Sequence, residues 1–124
     1  MPDMPEFAAI NDTYRAGDKV TFECSGNTGK PGGTLNILLK RVEDKDFKRS
    51  WHTIIGVGHM NKDMTVFKSR TLTMTLTEAD NGIIIRCQAV TYGAGRDSYK
   101  PFTDITFEVL RKYRFCFTLT NYHS

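Results

Sequence analysis

The side chains of this chain best suited to chemistry are three cysteines, Cys24, Cys87 and Cys116, and three histidines, His52, His59 and His123. Their spacing argues against most of that chemistry. Structural zinc takes paired Cys-x-x-Cys or closely spaced histidines, and zinc peptidases take His-Glu-x-x-His, whereas these six residues are scattered singly along the sequence. No cluster of cysteine, histidine and methionine that would suit copper sits between the last apolar runs. A serine nucleophile on the Gly-x-Ser-x-Gly pattern is missing. The carboxylate pairs Asp44/Asp46 and Glu78/Asp80 fall in charged turns, where acidic residues are ordinarily solvated, and Asp44 and Asp46 lack the further oxygen ligands of a calcium loop. The run Ser25 to Gly33, SGNTGKPGG, places a lysine after glycines, but a phosphate loop needs GxxxxGK followed by Ser or Thr and then a helix. Lys30 is followed instead by Pro31 and an apolar extended run, so this is a flexible connection. With no acid, base and nucleophile converging, neither catalysis nor a metal or other cofactor is expected.

The elements that would position a binding surface are read from periodicity. Leu72, Met74 and Leu76 alternate with Thr71, Thr73, Thr75 and Thr77, the period-two pattern of a half-buried strand. Glu78 to Gly82 interrupts it with an Asn-Gly pair suited to a turn, and Ile83-Ile84-Ile85 re-enters as a β-branched run. Ile83, Ile85, Cys87 and Ala89 then share one face, and Val20, Phe22 and Cys24 share another, opposite Lys19, Thr21 and Glu23. Thr34 to Val42 reads as a strand with Leu35, Ile37 and Leu39 inward and Leu38 outward. Trp51 to Val57 alternates as a further strand, broken by Gly56 and Gly58, and Met64 to Lys68 is a short one. In Phe102 to Leu110, Thr103, Ile105, Phe107 and Val109 oppose Asp104, Thr106 and Glu108. Phe7 to Ile10 forms a first edge strand behind two prolines, and Glu43 to Arg49 is a solvated turn. No helical period, internal repeat or heptad occurs, so the chain is all-β, a meander of short strands.

The run Ala16-Gly17-Asp18-Lys19-Val20-Thr21-Phe22-Glu23-Cys24, followed by Asp80-Asn81-Gly82-Ile83-Ile84-Ile85-Arg86-Cys87, resembles the immunoglobulin-like family over about residues 7–110. The resemblance implies a two-sheet antiparallel immunoglobulin-like β-sandwich with an inter-sheet disulfide from Cys24 on strand B to Cys87 on strand F. It makes Thr34–Val42 strand C, Trp51–Val57 strand C′, Met64–Lys68 strand D and Phe102–Leu110 strand G. Two family positions differ. Strand C carries Leu35, Ile37, Leu38 and Leu39 but no tryptophan, and the tyrosine two residues before the second cysteine is Ile85, so its hydrogen bond to the E–F corner is lost. Both replacements keep the core apolar, and they favour a constant or intermediate type over a variable one.

With 124 residues, 40% of them hydrophobic, the chain supplies one core. The organisation expected is a lead-in at 1–6, the immunoglobulin-like domain at 7–110 and a tail or linker at 111–124, RKYRFCFTLTNYHS, in which Cys116 is an unpaired third cysteine. Seventeen basic against 14 acidic residues give a net charge of +3. That excess is spread along the chain rather than clustered, which does not suit nucleic acid. No apolar run is long enough to span a membrane. The opening Met1-Pro2-Asp3-Met4-Pro5-Glu6 is acidic and proline-broken, unlike a secretory leader. A disulfide nonetheless implies an oxidising compartment, so the expectation is a mature extracellular domain, secreted or belonging to a membrane-anchored protein.

Recognition without chemistry is therefore the function expected, in adhesion, a receptor or secreted immune recognition, with a protein or glycan ligand. A structural spacer in a multi-domain chain is the alternative. By resemblance, end loops or the exposed face of the sheet holding strands C, F and G would carry binding. In the F–G loop, Thr91 to Pro101, Tyr92 and Tyr99 offer rigid amphipathic area, and Arg96 and Lys100 offer charge. A second surface combines Leu38 and Lys40 with Ile84 and Arg86. Asn11-Asp12-Thr13 is an N-glycosylation sequon. Homodimerisation through a sheet face or through Cys116 is a further expectation.

Overall fold

The computed structural model describes residues 4–8, 10–30, 32–50, 53–56, 58–90 and 100–111. In chain order these form β1 (Glu6–Phe7), β2 (Thr13–Arg15), β3 (Lys19–Asn27), β4 (Thr34–Lys40), β5 (Lys48–Arg49), β6 (Thr53–Ile55), β7 (His59–Met60), β8 (Val66–Thr75), a 3-10 turn at Glu78–Asp80, β9 (Ile84–Val90), β10 (Phe102–Thr106) and β11 (Glu108–Leu110). Two sheets pack face to face. One runs β1-β3-β8-β6, with β7 also along β8, and the other runs β10-β9-β4-β5; all their pairings are antiparallel. β2 and β11 pair in parallel as a separate ribbon.

The inner faces are those the alternation implies. Phe22 and Cys24 from β3, Leu72 from β8, Leu35 and Ile37 from β4, and Ile85, Cys87 and Ala89 from β9 are buried, with Leu39 and Met74 partly buried against them. Tyr14, Phe22 and Phe107 close one end: Phe22 stacks on Phe107 at 5.4 Å between centroids, and Tyr14 meets Phe107 edge-on at 4.9 Å. The disulfide joins Cys24 to Cys87 across the sheets with 6.4 Å between Cα atoms. Tying residues 63 apart in sequence stabilises the fold by about 4 kcal/mol through lost unfolded-chain entropy.

Ile85 is buried, and the corner before it is held by other means. Asp80, 1% exposed, accepts hydrogen bonds from Thr77 N at 2.8 Å, Thr77 Oγ1 at 3.1 Å and Arg41 Nε at 2.7 Å. Asn81 Oδ1 accepts from Val109 N at 2.9 Å, and Gly82, at φ 81°, donates its N–H to Phe107 O at 3.1 Å. A buried carboxylate and a side-chain amide thus tie this corner to Arg41, just after β4, and to β11, in place of a phenol.

Five segments depart from the sequence reading. The run expected as strand C′ lies in the opposite sheet, where Thr53, Ile54 and Ile55 pair with Leu72, Thr71 and Arg70 of β8. Arg70 Nη1 donates to Thr53 Oγ1 at 2.7 Å. A Cβ on Gly56 would stand 2.0 Å from Ser69 Oγ, so a side chain here would require Ser69 to change rotamer. The place beside β4 is taken by Lys48–Arg49, in the segment expected as a solvated turn. Met64–Lys68 is not a separate strand: Met64 sits in a turn at φ 72°, and Val66 begins a ten-residue β8. β3 runs on to Asn27, which pairs with Phe67, so the glycine-rich connection begins later than expected. Strand G leaves β9 at Phe107 and continues on β2.

Candidate functional site

On the outward face of the β10-β9-β4-β5 sheet, alternation places Ile84, Arg86 and Gln88 of β9 away from the core. Phe102, Asp104 and Thr106 of β10 flank them on one side, and Asn36, Leu38 and Lys40 of β4 on the other. Antiparallel register sorts these into rows. Phe102, Gln88 and Asn36 form one, Asp104, Arg86, Leu38 and Arg49 a second, and Thr106, Ile84 and Lys40 a third.

The middle row holds the most organised side chains on this face. Arg86 donates from Nε to Asp104 Oδ1 at 2.8 Å and from Nη2 to Asp104 Oδ2 at 3.0 Å, a two-point pairing that fits the planar guanidinium. Its guanidinium carbon stands 3.8 Å from the centroid of Phe102 and 4.1 Å from that of Phe47. Phe102 is 41% exposed. The Asp104 hydrogen bond raises the Arg86 pKa above its ordinary value, against the opposing effect of burial, so the cation is permanent. Beside it, Arg49 Nη2 donates to Asn36 Oδ1 at 2.6 Å. Each contact contributes little to folding, about 1 kcal/mol or less for an exposed ion pair or cation–π contact. Together they fix the rotamers of a long, otherwise mobile arginine and of an exposed phenylalanine. A partner that docks here does not have to order them, which is how a rigid surface gains affinity.

The expected site residues fall in different places. Cys24 and Cys87 are joined inside the core. Lys100 is exposed two residues ahead of Phe102, before β10 begins; next to it Pro101 O accepts a hydrogen bond from Ala89 N at 2.9 Å. Tyr92, Arg96, Tyr99, Trp51, His52, Cys116 and His123 lie outside the described residues. Asn11 is exposed in the β1–β2 connection, where its backbone N–H donates to Tyr14 Oη at 3.1 Å, and is not part of the Arg86 surface. His59 is exposed and stacks on Phe67 at 5.1 Å. Asp44 accepts from Arg41 N at 3.0 Å, which holds its carboxyl below the usual range and identifies it as a turn-former. Among the described residues no three His, Cys, Asp or Glu side chains are grouped to hold a metal, and no helix is long and apolar enough to cross a membrane.

Of the second surface expected from sequence, Leu38, Lys40, Ile84 and Arg86 do share one face. Phe47, Phe102 and Asp104 were not among its expected members. A signal existed for two of them: alternation puts Phe102 and Asp104 on the outward side of their strand, and an outward phenylalanine beside an arginine is unusual enough to mark. Phe47 lies in a charged turn, where no periodicity assigns a face.

No protein-family model and no curated protein matches the sequence. Solved structures do match. The mouse nectin-like molecule 4 full ectodomain (Ig1-Ig3) superposes with a TM-score of 0.64 at 16% identity over 89% of this chain and 34% of that one. Rst D1-D2 gives 0.55 at 16% identity over 90% and 49%. The IgNAR antibody domain C3 gives 0.53 at 13% identity over 87% and 99%. This chain therefore spans about a third and about half of the first two and nearly all of the third. At these identities the likeness is one of fold, the immunoglobulin-like β-sandwich.

Proposed function

We propose that this immunoglobulin-like chain is a non-catalytic extracellular recognition domain, and that it binds a protein partner through the outward face of β10, β9, β4 and β5. The observation that carries the reading is the Arg86 clamp: a half-buried, charged guanidinium fixed by Asp104 and packed against the rings of Phe47 and Phe102, the latter exposed. Arginine and aromatic anchors are the residues most enriched in binding hot spots. Tyr92, Arg96 and Tyr99 of the β9–β10 connection, with Lys100, are the further binding residues of this reading. A protein is favoured over a glycan because the face is a broad sheet surface rather than a pocket. The fold's neighbours include a nectin-like ectodomain and an antibody domain, and the Cys24–Cys87 disulfide suits an oxidising compartment. Within this reading residues 7–110 are the binding unit, 111–124 a linker or tail, and Asn11 a glycosylation site away from the binding face.

The test is to stain a panel of cells with the fluorescently labelled, multimerised domain, made in an oxidising compartment. It is run alongside a Phe102→Ala variant and a Tyr92→Ala, Arg96→Ala, Tyr99→Ala triple variant. Recognition through this face predicts that Phe102→Ala weakens staining at least tenfold with an unchanged melting temperature, and that the triple variant weakens it further. A domain that stains nothing, or whose staining survives both changes, supports the spacer role.

A further inference from the structure

A β-sandwich leaves strand edges with unpaired backbone groups, and natural folds guard such edges with charge, proline, shortness or cover. Among the described residues the edges here are guarded unequally. β1 is two residues long and follows Pro5, whose carbonyl accepts a hydrogen bond from Thr103 Oγ1. β5 is Lys48–Arg49, two residues and both charged. β10, Phe102–Thr106, is also an edge strand, paired among the described residues with β9 alone, but it carries Asp104 at its centre, so a twofold pairing there would set Asp104 against its own copy; beyond Phe107 the last strand is covered by β2. The remaining edge, formed by β6 and β7 along one side of β8, has neither charge nor proline from Thr53 to Met60, the run TIIGVGHM. Ile54 is 70% exposed, Ile55 64% and Met60 60%. Between β6 and β7 this edge carries one residue more than β8 does, since Ile55 pairs with Arg70 while His59 pairs with Phe67. The register with β8 is continuous only within Thr53–Ile55, so the part of this edge considered for pairing is β6 itself.

We propose that β6 is a self-association edge, at which a second copy of this chain adds its own β6 in antiparallel register about a twofold axis through Ile54. The occupant follows from complementarity. An open strand edge offers alternating N–H and C=O groups, which another strand satisfies. A twofold pairing of Thr53-Ile54-Ile55 with itself places Ile54 beside its copy and Thr53 opposite Ile55, without opposing any like charges. The same operation on β5 would set Lys48 against Arg49. The product continues the β1-β3-β8-β6 sheet into its partner's. It leaves the Arg86 face of the other sheet open, so the association is independent of the binding role proposed above. With three residues on each side the dimer is weak and forms only at high concentration or where copies are held together on a surface.

Sedimentation velocity over a concentration series reaching the millimolar range tests this, in a Cys116→Ser background so that no intermolecular disulfide contributes. Reversible, concentration-dependent dimers are expected, at least tenfold weaker in Ile54→Lys and unchanged in Phe102→Ala. Because Ile54 is exposed, Ile54→Lys should melt at the parental temperature; Ile54→Thr, which keeps β propensity while removing apolar area, serves if it does not, and it too must weaken the dimer. A monomer at every concentration, a dimer undiminished by both Ile54 changes, or a dimer lost with Phe102→Ala alone overturns the proposal. The last result would move self-association to the Arg86 face.

Discussion

The two faces of β9 carry different kinds of burden. Inward, Ile85, Cys87 and Ala89 are fully buried, and Cys87 is bonded through the core to Cys24. Outward, Ile84, Arg86 and Gln88 are partly exposed, and the interactions that order Arg86 lie along the surface of the sheet. Residues adjacent in sequence thus contribute to different properties. Removing atoms from the inner face opens a cavity or frees the unfolded chain, whereas removing them from the outer face only loosens groups that water can solvate. Stability and recognition should therefore be separable on a single strand.

The largest effect expected is from the inner face. Replacing Cys24 and Cys87 together by alanine should lower unfolding free energy by about 4 kcal/mol, measured by chemical denaturation. Non-reducing peptide mapping of the parent should show these two joined, with neither linked to Cys116. Ile85→Ala should cost about 3 kcal/mol, the usual range for a buried aliphatic truncation. At the corner, Asp80→Ala should cost about 2 kcal/mol, because it strips Arg41 and the Thr77 N–H of their shared acceptor; Arg41 is 37% exposed, so water recovers part of the loss. Asp80→Ala outlasting Ile85→Ala in denaturant would be as expected. The reverse order would mean that the corner, rather than the packed face, dominates.

How much of this was legible in the sequence depended on what each pattern encodes. Alternation identified which residues face inward, and the inner sets of β3, β4, β8 and β9 follow it. Alternation says nothing about which neighbour a strand pairs with, and Thr53–Ile55 accordingly reads the same in either sheet. Its place beside β8 shows only in contacts between residues far apart in sequence, such as Gly56 N to Ser69 O and Arg70 to Thr53. The missing tyrosine was visible at Ile85. Its replacement was not, because Asp80 and Asn81 look like ordinary turn residues until Arg41 and Val109 are brought to them. The same limit hid the clamp: Arg86 and Phe102 were each legible as outward, but their contact with Phe47 needed the fold.

Two smaller expectations sharpen the contrast. Asp44 and Asp63, both on exposed turns, have carboxyls lowered from the usual 3.8, the first chiefly by the Arg41 N–H and the second by the Thr65 hydroxyl and N–H. Because the folded state binds these protons less readily than the unfolded one, their contribution is fully present above 3.8 and is lost as pH falls through their lower folded values. Asp44→Asn should flatten the decline of melting temperature with acid between about pH 5 and about pH 2, leaving the neutral value little changed. Smallest of all, Arg86→Ala should alter unfolding free energy by about 1 kcal/mol or less.

That variant also provides the most direct test of the separation between the two faces. Arg86→Ala and the parent would be compared in the same preparation for thermal unfolding and for cell staining. The expected result is a melting temperature close to that of the parent with staining reduced at least tenfold. Staining that persists at parental strength, or a domain that no longer folds, would contradict the assignment of the outward face of β9 to recognition.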